Sequence, residues 1–264
     1  MEHIKETLKG FHDSWRLVKP IVYVVRSPGV LNRVLQCSVI NGALFIGSIL
    51  FFNKLVDPFL HRLGGGLGAY LEPIITFLYY ICWLYPVYIV SFVLTTFWVQ
   101  DIFDEAFKHF YKGTTAQSKP LTPAEFVSYL VRRIVMIAIF LIQCMVFTYL
   151  PFPFGRIIEI MHYSLLYSYY CFEYITMALN KGLAESIEMF EYNWSYFLGF
   201  GLSFTMVIIT WPGIMSSGAF CLLFPFLVLT SVPAQVDLKK RKGTRLPIFA
   251  VSLALTNKIF DYVV

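Results

Sequence analysis

Charged residues fall in blocks along this chain and leave long stretches without any. Val34–Asn53, Pro73–Val99, Ile134–Gly155 and Tyr196–Val236 contain no Asp, Glu, Lys or Arg, and the last of these is 41 residues long. A helix of a water-soluble fold needs a polar face, so such runs are hard to accommodate there. About 20 apolar residues in a helix cross the ~30 Å hydrocarbon core of a bilayer. The pattern therefore predicts an all-α fold: a polytopic membrane helical bundle with long protruding helices and a partly inserted helical hairpin.

Between the runs the periodicity is helical. Ile4, Leu8, Phe11, Trp15 and Val18 share one face of a helix over 3–19, with Lys5, Lys9, Arg16 and Lys19 around it. Leu8, Phe11 and Trp15 are the candidate interfacial anchor on the lipid bilayer, since a basic amphipathic helix with Trp on its apolar side suits the headgroup boundary. Pro28-Gly29 breaks the chain before a span at 34–53 that contains Asn41-Gly42. A polar amide at that depth should face protein. The glycines at 64–66 and 68 lack the Lys-Ser/Thr ending of a phosphate-binding loop and read as a turn. Pro86 should kink the 73–99 helix. An apolar stripe continues beyond it through Ile102, Phe103, Ala106, Phe107 and Phe110, which predicts one helix over 74–111, roughly 57 Å long at ~1.5 Å per residue. Thr122, Pro123 and Glu125 form a capping box for the next helix, with Leu121 and Phe126 at the staple positions.

The span at 157–179 carries Glu159, His162 and Glu173. Ionisable groups there need partners, and Glu173 is expected to face the interior with one. A second amphipathic helix is predicted at 183–194, with Leu183, Ile187, Phe190 and Trp194 on one side and Glu185, Glu188 and Glu191 on the other. Trp211-Pro212-Gly213 divides the longest run into halves, the first short for a full crossing. The chain thus reads as a cytoplasmic amphipathic segment (1–33), a membrane domain (34–236), and a basic loop with a C-terminal segment (237–264).

Composition agrees. The chain is 58% hydrophobic and 14% charged, against roughly 25% charged in soluble domains. Of 21 Lys and Arg, three fall in the 54–72 and 151–156 loops. The positive-inside rule therefore places both termini in the cytoplasm. The formal charge of +5 is spread over separate loops, which does not suit nucleic acid. The five cysteines all lie in apolar segments without zinc spacing, and the Glu159/His162 pair lacks the further ligands of a di-iron site. Neither a Gly-x-Ser-x-Gly elbow nor a His-Glu-x-x-His motif occurs. The expectation is a protein with no enzymatic activity, cofactor or metal.

The string from His162 to Tyr174, with Cys171-Phe172-Glu173-Tyr174 at its end, resembles the etoposide-induced protein family of the endoplasmic reticulum. The resemblance continues in Asn193-Trp194-x-Tyr196-Phe197-x-Gly199-Phe200-Gly201-Leu202, in Trp98-Val99-Gln100-Asp101-Ile102, and in Gln36-Cys37 with Asn41-Gly42. It covers about residues 30–260, and is most similar to the animal branch that includes nematode ectopic-granule proteins. It marks His162, Glu173, Asn193, Trp194, Gln100, Asp101 and Asn41 as candidate residues, structural or functional. The resemblance implies a multi-pass protein of the reticulum membrane required for autophagy. Such a protein acts in autophagosome formation or maturation and in clearance of protein aggregates, with autophagy machinery proteins as partners. A more distant similarity to the CysZ permeases implies the alternative of an anion (sulfate) permease. A lipid-handling role is a further alternative. Oligomeric state is not legible.

Overall fold

A computed structural model of the chain describes residues 2–16, 18–62, 66–111, 123–147, 149–179, 181–211, 214–234, 236 and 244–263. Its regular structure there is entirely helical. The helices are α1 (Glu2–Ser14), α2 (Val18–Arg26), α3 (Pro28–Phe51), α4 (Asp57–Arg62), α5 (Gly66–Tyr79) and α6 (Tyr85–Phe110), then α7 (Pro123–Phe147), α8 (Phe154–Ala178), α9 (Leu183–Tyr192), α10 (Trp194–Ile209), α11 (Ile214–Ser231) and α12 (Ala250–Val263). Gly64-Gly65 of the glycine turn, Leu121 and Thr122 of the capping box, Pro212-Gly213 and the basic run Lys239–Lys242 lie outside the described residues, as do the side chains of Glu125 and Phe126.

Among the described residues, no helix is long and apolar enough to cross a membrane. This overturns the expected polytopic membrane bundle with its partly inserted hairpin. Absence of charge over a run is a weaker property than an unbroken apolar helix. The 73–99 run is divided between two helices and the stretch joining them, and the 196–236 run between α10, of 16 residues, and α11, of 18. The 34–53 run does fill most of α3, but Gln36, Ser38, Asn41, Gly42, Gly47 and Ser48 punctuate it.

Two π-helical stretches join otherwise continuous helices, Phe52–Val56 before α4 and Tyr80–Leu84 before α6. Each ends two residues ahead of a proline, Pro58 and Pro86. A proline has no N–H, and its ring clashes with the carbonyl four residues back, here those of Lys54 and Cys82 inside the π stretches. Widening the turn relieves the clash without ending the helix. Pro86 therefore shapes the predicted 74–111 helix without stopping it. Pro28 acts differently, occupying the first position of α3, where a missing N–H is harmless.

The chain divides into two compact units. Unit 1 contains Met1–Leu17, Phe110–Met206 and Thr230–Val264, and unit 2 contains Val18–His109 and Val207–Leu229. The core of unit 1 is aromatic. Phe190 stacks on Phe197 at 3.8 Å, and Phe172 meets Phe197 and Phe200 edge-on at 4.8 and 4.9 Å. Phe249, just ahead of α12, inserts against Phe140, Tyr169 and Phe190. In unit 2, α2 packs on α3 and α4 on α5, and Tyr23 lies against His109 with ring centroids 4.6 Å apart.

Candidate functional site

Among the described residues of unit 1, two buried carboxylates, Glu173 and Glu191, are each held by an arginine from a distant segment. Glu173, on α8, has no exposed side-chain surface. Its Oε1 is paired with Nε of Arg133 from α7 and accepts a hydrogen bond from the Tyr169 hydroxyl at 3.4 Å. Arg133 Nη1 also reaches the Met177 sulfur at 3.5 Å. Glu173 Oε2 is buried without a hydrogen-bond partner among the described residues. A buried carboxylate is tolerated only when a cation compensates it, so Arg133 is the residue on which Glu173 depends. The sequence indicated the need for a partner. Arg133 lies within α7, 40 positions upstream, and the sequence pattern does not single it out.

The other carboxylate departs from the sequence pattern. Glu191 was expected on the polar side of an amphipathic helix, yet it is 1% exposed. Oε2 accepts from Arg245 Nε and Nη2 at 2.8 and 2.7 Å, and Oε1 accepts from the Phe249 amide at 3.1 Å. The Leu246 amide donates to the Glu191 carbonyl at 3.2 Å. The segment 244–249 is thereby clasped onto α9. The hydrogen bond that Arg245 donates to Glu191 also raises the Arg245 pKa.

α9 and α10 meet at a single residue, Asn193. Its side-chain amide donates at 3.0 Å to the Met189 carbonyl, which also accepts the Asn193 backbone amide at 3.3 Å. Trp194 opens α10 with its ring 5.0 Å from that of His3, and its Nε1 is buried without a partner among the described residues. α1 then runs along α10 at very close range. A Cβ on Gly10 would lie 2.0 Å from the Tyr196 carbonyl oxygen, and one on Gly199 would lie 1.9 Å from that of Thr7. On the other side of α10, a Cβ on Gly201 would lie 1.8 Å from the Ser164 carbonyl oxygen of α8. Two glycines flanking Phe200 could break a helix. Instead α10 is unbroken there, and the glycines let two neighbouring backbones approach.

This contact decides which way α1 faces. Asp13 is buried and accepts a hydrogen bond from the Tyr196 hydroxyl at 2.9 Å. Arg16 donates to its other oxygen at 3.5 Å. The apolar stripe is left outside: Ile4 is 65% exposed, Leu8 62%, Phe11 37% and Trp15 56%. The anchor residues thus form an outward apolar surface on a helix held by its small and polar side.

The remaining candidates lie apart from this cluster or do not share in its ion pairs. His162, in α8, bonds the Ile158 carbonyl at 2.8 Å and packs against Phe140 and Phe147. In unit 2, the buried Asn41 amide nitrogen donates to Thr95 Oγ1 at 2.8 Å and contacts Cys37 Sγ and the Cys221 carbonyl, while Ser91 Oγ donates to its oxygen. Gln100 donates to Asp104 at 3.0 Å, and Asp101 pairs with Arg33. No group of His, Cys, Asp and Glu among the described residues could hold a metal ion.

A model of the family described as "Sulfate transporter CysZ/Etoposide-induced protein 2.4" matches residues 16–235. The "Protein EI24 homolog" of Dictyostelium discoideum is 28% identical over 265 residues, covering 97% of this chain and 85% of that protein. The "Protein EI24 homolog" of Arabidopsis thaliana is 26% identical over 260 residues, covering 85% and 81%. "Ectopic P granules protein 4" of Caenorhabditis elegans is 32% identical over 163 residues, covering 58% and 49%. No solved structure matches.

Proposed function

The chain belongs to the etoposide-induced protein 2.4/CysZ family, and from that membership we propose that it is a non-enzymatic autophagy factor of the endoplasmic reticulum membrane, acting in autophagosome formation or maturation and in clearance of protein aggregates. The observation that carries this reading is the family match over residues 16–235, which includes Asn41, Gln100, Asp101, His162, Glu173, Asn193 and Trp194. The nematode relative, named for ectopic P granules, supports the connection to protein granules. The partners are autophagy machinery proteins and the lipid bilayer, with both termini on the cytoplasmic side. The outward stripe of α1 supports the lipid contact. Exposed Leu8, Phe11 and Trp15 offer apolar area to the acyl boundary, and exposed Lys5 and Lys9 offer charge to anionic headgroups.

Clearance of a selective protein cargo after deletion tests the reading, with re-expression as control. Cargo should accumulate and be rescued by the wild-type chain; normal clearance would refute an autophagy role. A second reading, an anion permease, is favoured by the family description, which names a sulfate transporter. The half of that site a buried cation would provide is already engaged, because Arg133 is compensated by Glu173. Sulfate flux into vesicles containing the purified chain distinguishes the two, and background flux removes the permease.

A further inference from the structure

Thr244 stands beside the Glu191–Arg245 clasp and lies outside the family match. It is exposed and sits at the start of 244–247, a segment without helix or strand. In sequence it follows Lys239-Lys240-Arg241-Lys242-Gly243, so arginine precedes it by three positions and lysine by two, four and five. Several basic residues ahead of a threonine form the charge pattern that the acidic substrate groove of a basophilic kinase reads. The next residue is Arg245, whose guanidinium holds buried Glu191.

We propose that Thr244 is a phosphorylation site for a basophilic serine/threonine kinase, and that its phosphate releases Arg245 from Glu191. The Thr244 oxygen attacks the γ-phosphorus of a kinase-bound nucleoside triphosphate. The bond from that phosphorus to the bridging oxygen breaks, and the nucleoside diphosphate leaves with the electron pair. The hydroxyl proton passes to the kinase's base. The new group carries about −1.5 to −2 charge near neutral pH and has three strong acceptor oxygens. It presents them to the adjacent guanidinium in a more solvated place than Glu191 can. It also repels Glu191 and Glu188, the two carboxylates already close enough to act on Arg245.

The effect propagates because of what the clasp holds. Without Arg245, the Glu191 side chain keeps the Phe249 amide bond but is a buried anion without a cation. Release of that amide withdraws Phe249 from the aromatic core and frees the start of α12. Further along α12, the Ser252–Gln143 bond and the stacking of Arg132 on Phe260 would then be lost. Phosphorylation of one exposed threonine thereby governs docking of the last helix.

The test treats the full chain with a purified basophilic kinase and ATP, maps phosphate by mass spectrometry, and follows amide hydrogen exchange over 246–263. Phosphate should appear at Thr244 and be absent there in Thr244→Val. Exchange over 246–263 should accelerate by about tenfold or more, and Arg245→Ala without kinase should reproduce it. The proposal is overturned if Thr244 stays unmodified while a control peptide is phosphorylated. It is equally overturned if full phosphorylation leaves exchange unchanged, or if Arg245→Ala does.

Discussion

The two units bury polarity in different ways. Unit 1 buries charge: Glu173 against Arg133, and Glu191 against Arg245. Unit 2 centres on a neutral cluster of Asn41, Ser91, Thr95 and Cys37, while its Arg33–Asp101 pair remains exposed. The backbones differ in the same sense. α10 of unit 1 meets its neighbours through glycines at close contact, whereas unit 2 accommodates Pro58 and Pro86 behind π-helical turns. Buried ion pairs and backbone contacts have few substitutes once one partner is removed. Neutral amides and hydroxyls can re-pair or admit water at lower cost. Unit 1 should therefore be brittle to single substitutions and unit 2 forgiving.

The largest effect should come from Glu173→Ala, which strands Arg133. A loss of about 3–5 kcal/mol is expected in urea unfolding. Removing both charges with Arg133→Met and Glu173→Leu should recover most of that loss, because the desolvated ions are gone. If the double variant is as unstable as the single one, the charges are not what makes unit 1 brittle. Next comes Gly201→Ala. The added Cβ meets the Ser164 backbone, and overpacking of that kind costs about 1–3 kcal/mol. Faster hydrogen exchange confined to α8 and α10 would locate it. Asn41→Ala, the corresponding cut in unit 2, should cost about 1–3 kcal/mol for the hydroxyls left unpaired. A loss as large as that of Glu173→Ala would break the contrast. Arg33→Ala should be the mildest, at most about 1 kcal/mol, since both side chains of its pair are about half exposed. Leu8→Ser, Phe11→Ser and Trp15→Ser together should leave the unfolding midpoint nearly unchanged, because the stripe faces outward. The same variant should lose binding to anionic lipid vesicles, and retained binding would assign the lipid contact elsewhere.

Much of this was legible along the chain. The starts of α7 and α9 follow from Pro123 and from the spacing of Leu183, Ile187 and Phe190, whereas the break at Asn193 falls inside the helix expected over 183–194 and moves Trp194 to the start of α10. The requirement that Glu173 be partnered follows from one carboxylate in an apolar helix. Its partner does not, because Arg133 lies 40 positions away and only the packing of α7 on α8 selects it over Arg132. Glu191 was misassigned because helical periodicity sorts residues into faces without knowing which segment covers each face. Here the covering segment is 244–249, which brings its own cation.

The sequence by itself determined that the described chain is helical, that Pro86 perturbs its helix, and to which family the protein belongs. These rest on local steric rules and on residue order, which need no neighbour in space. Tertiary structure alone decided that Arg133 compensates Glu173, that Glu191 is buried under the segment 244–249, and that Gly199 and Gly201 bring neighbouring backbones together. Each depends on two segments approaching within a few ångströms, and a Cβ, a buried charge or a backbone carbonyl acts only once its counterpart has arrived.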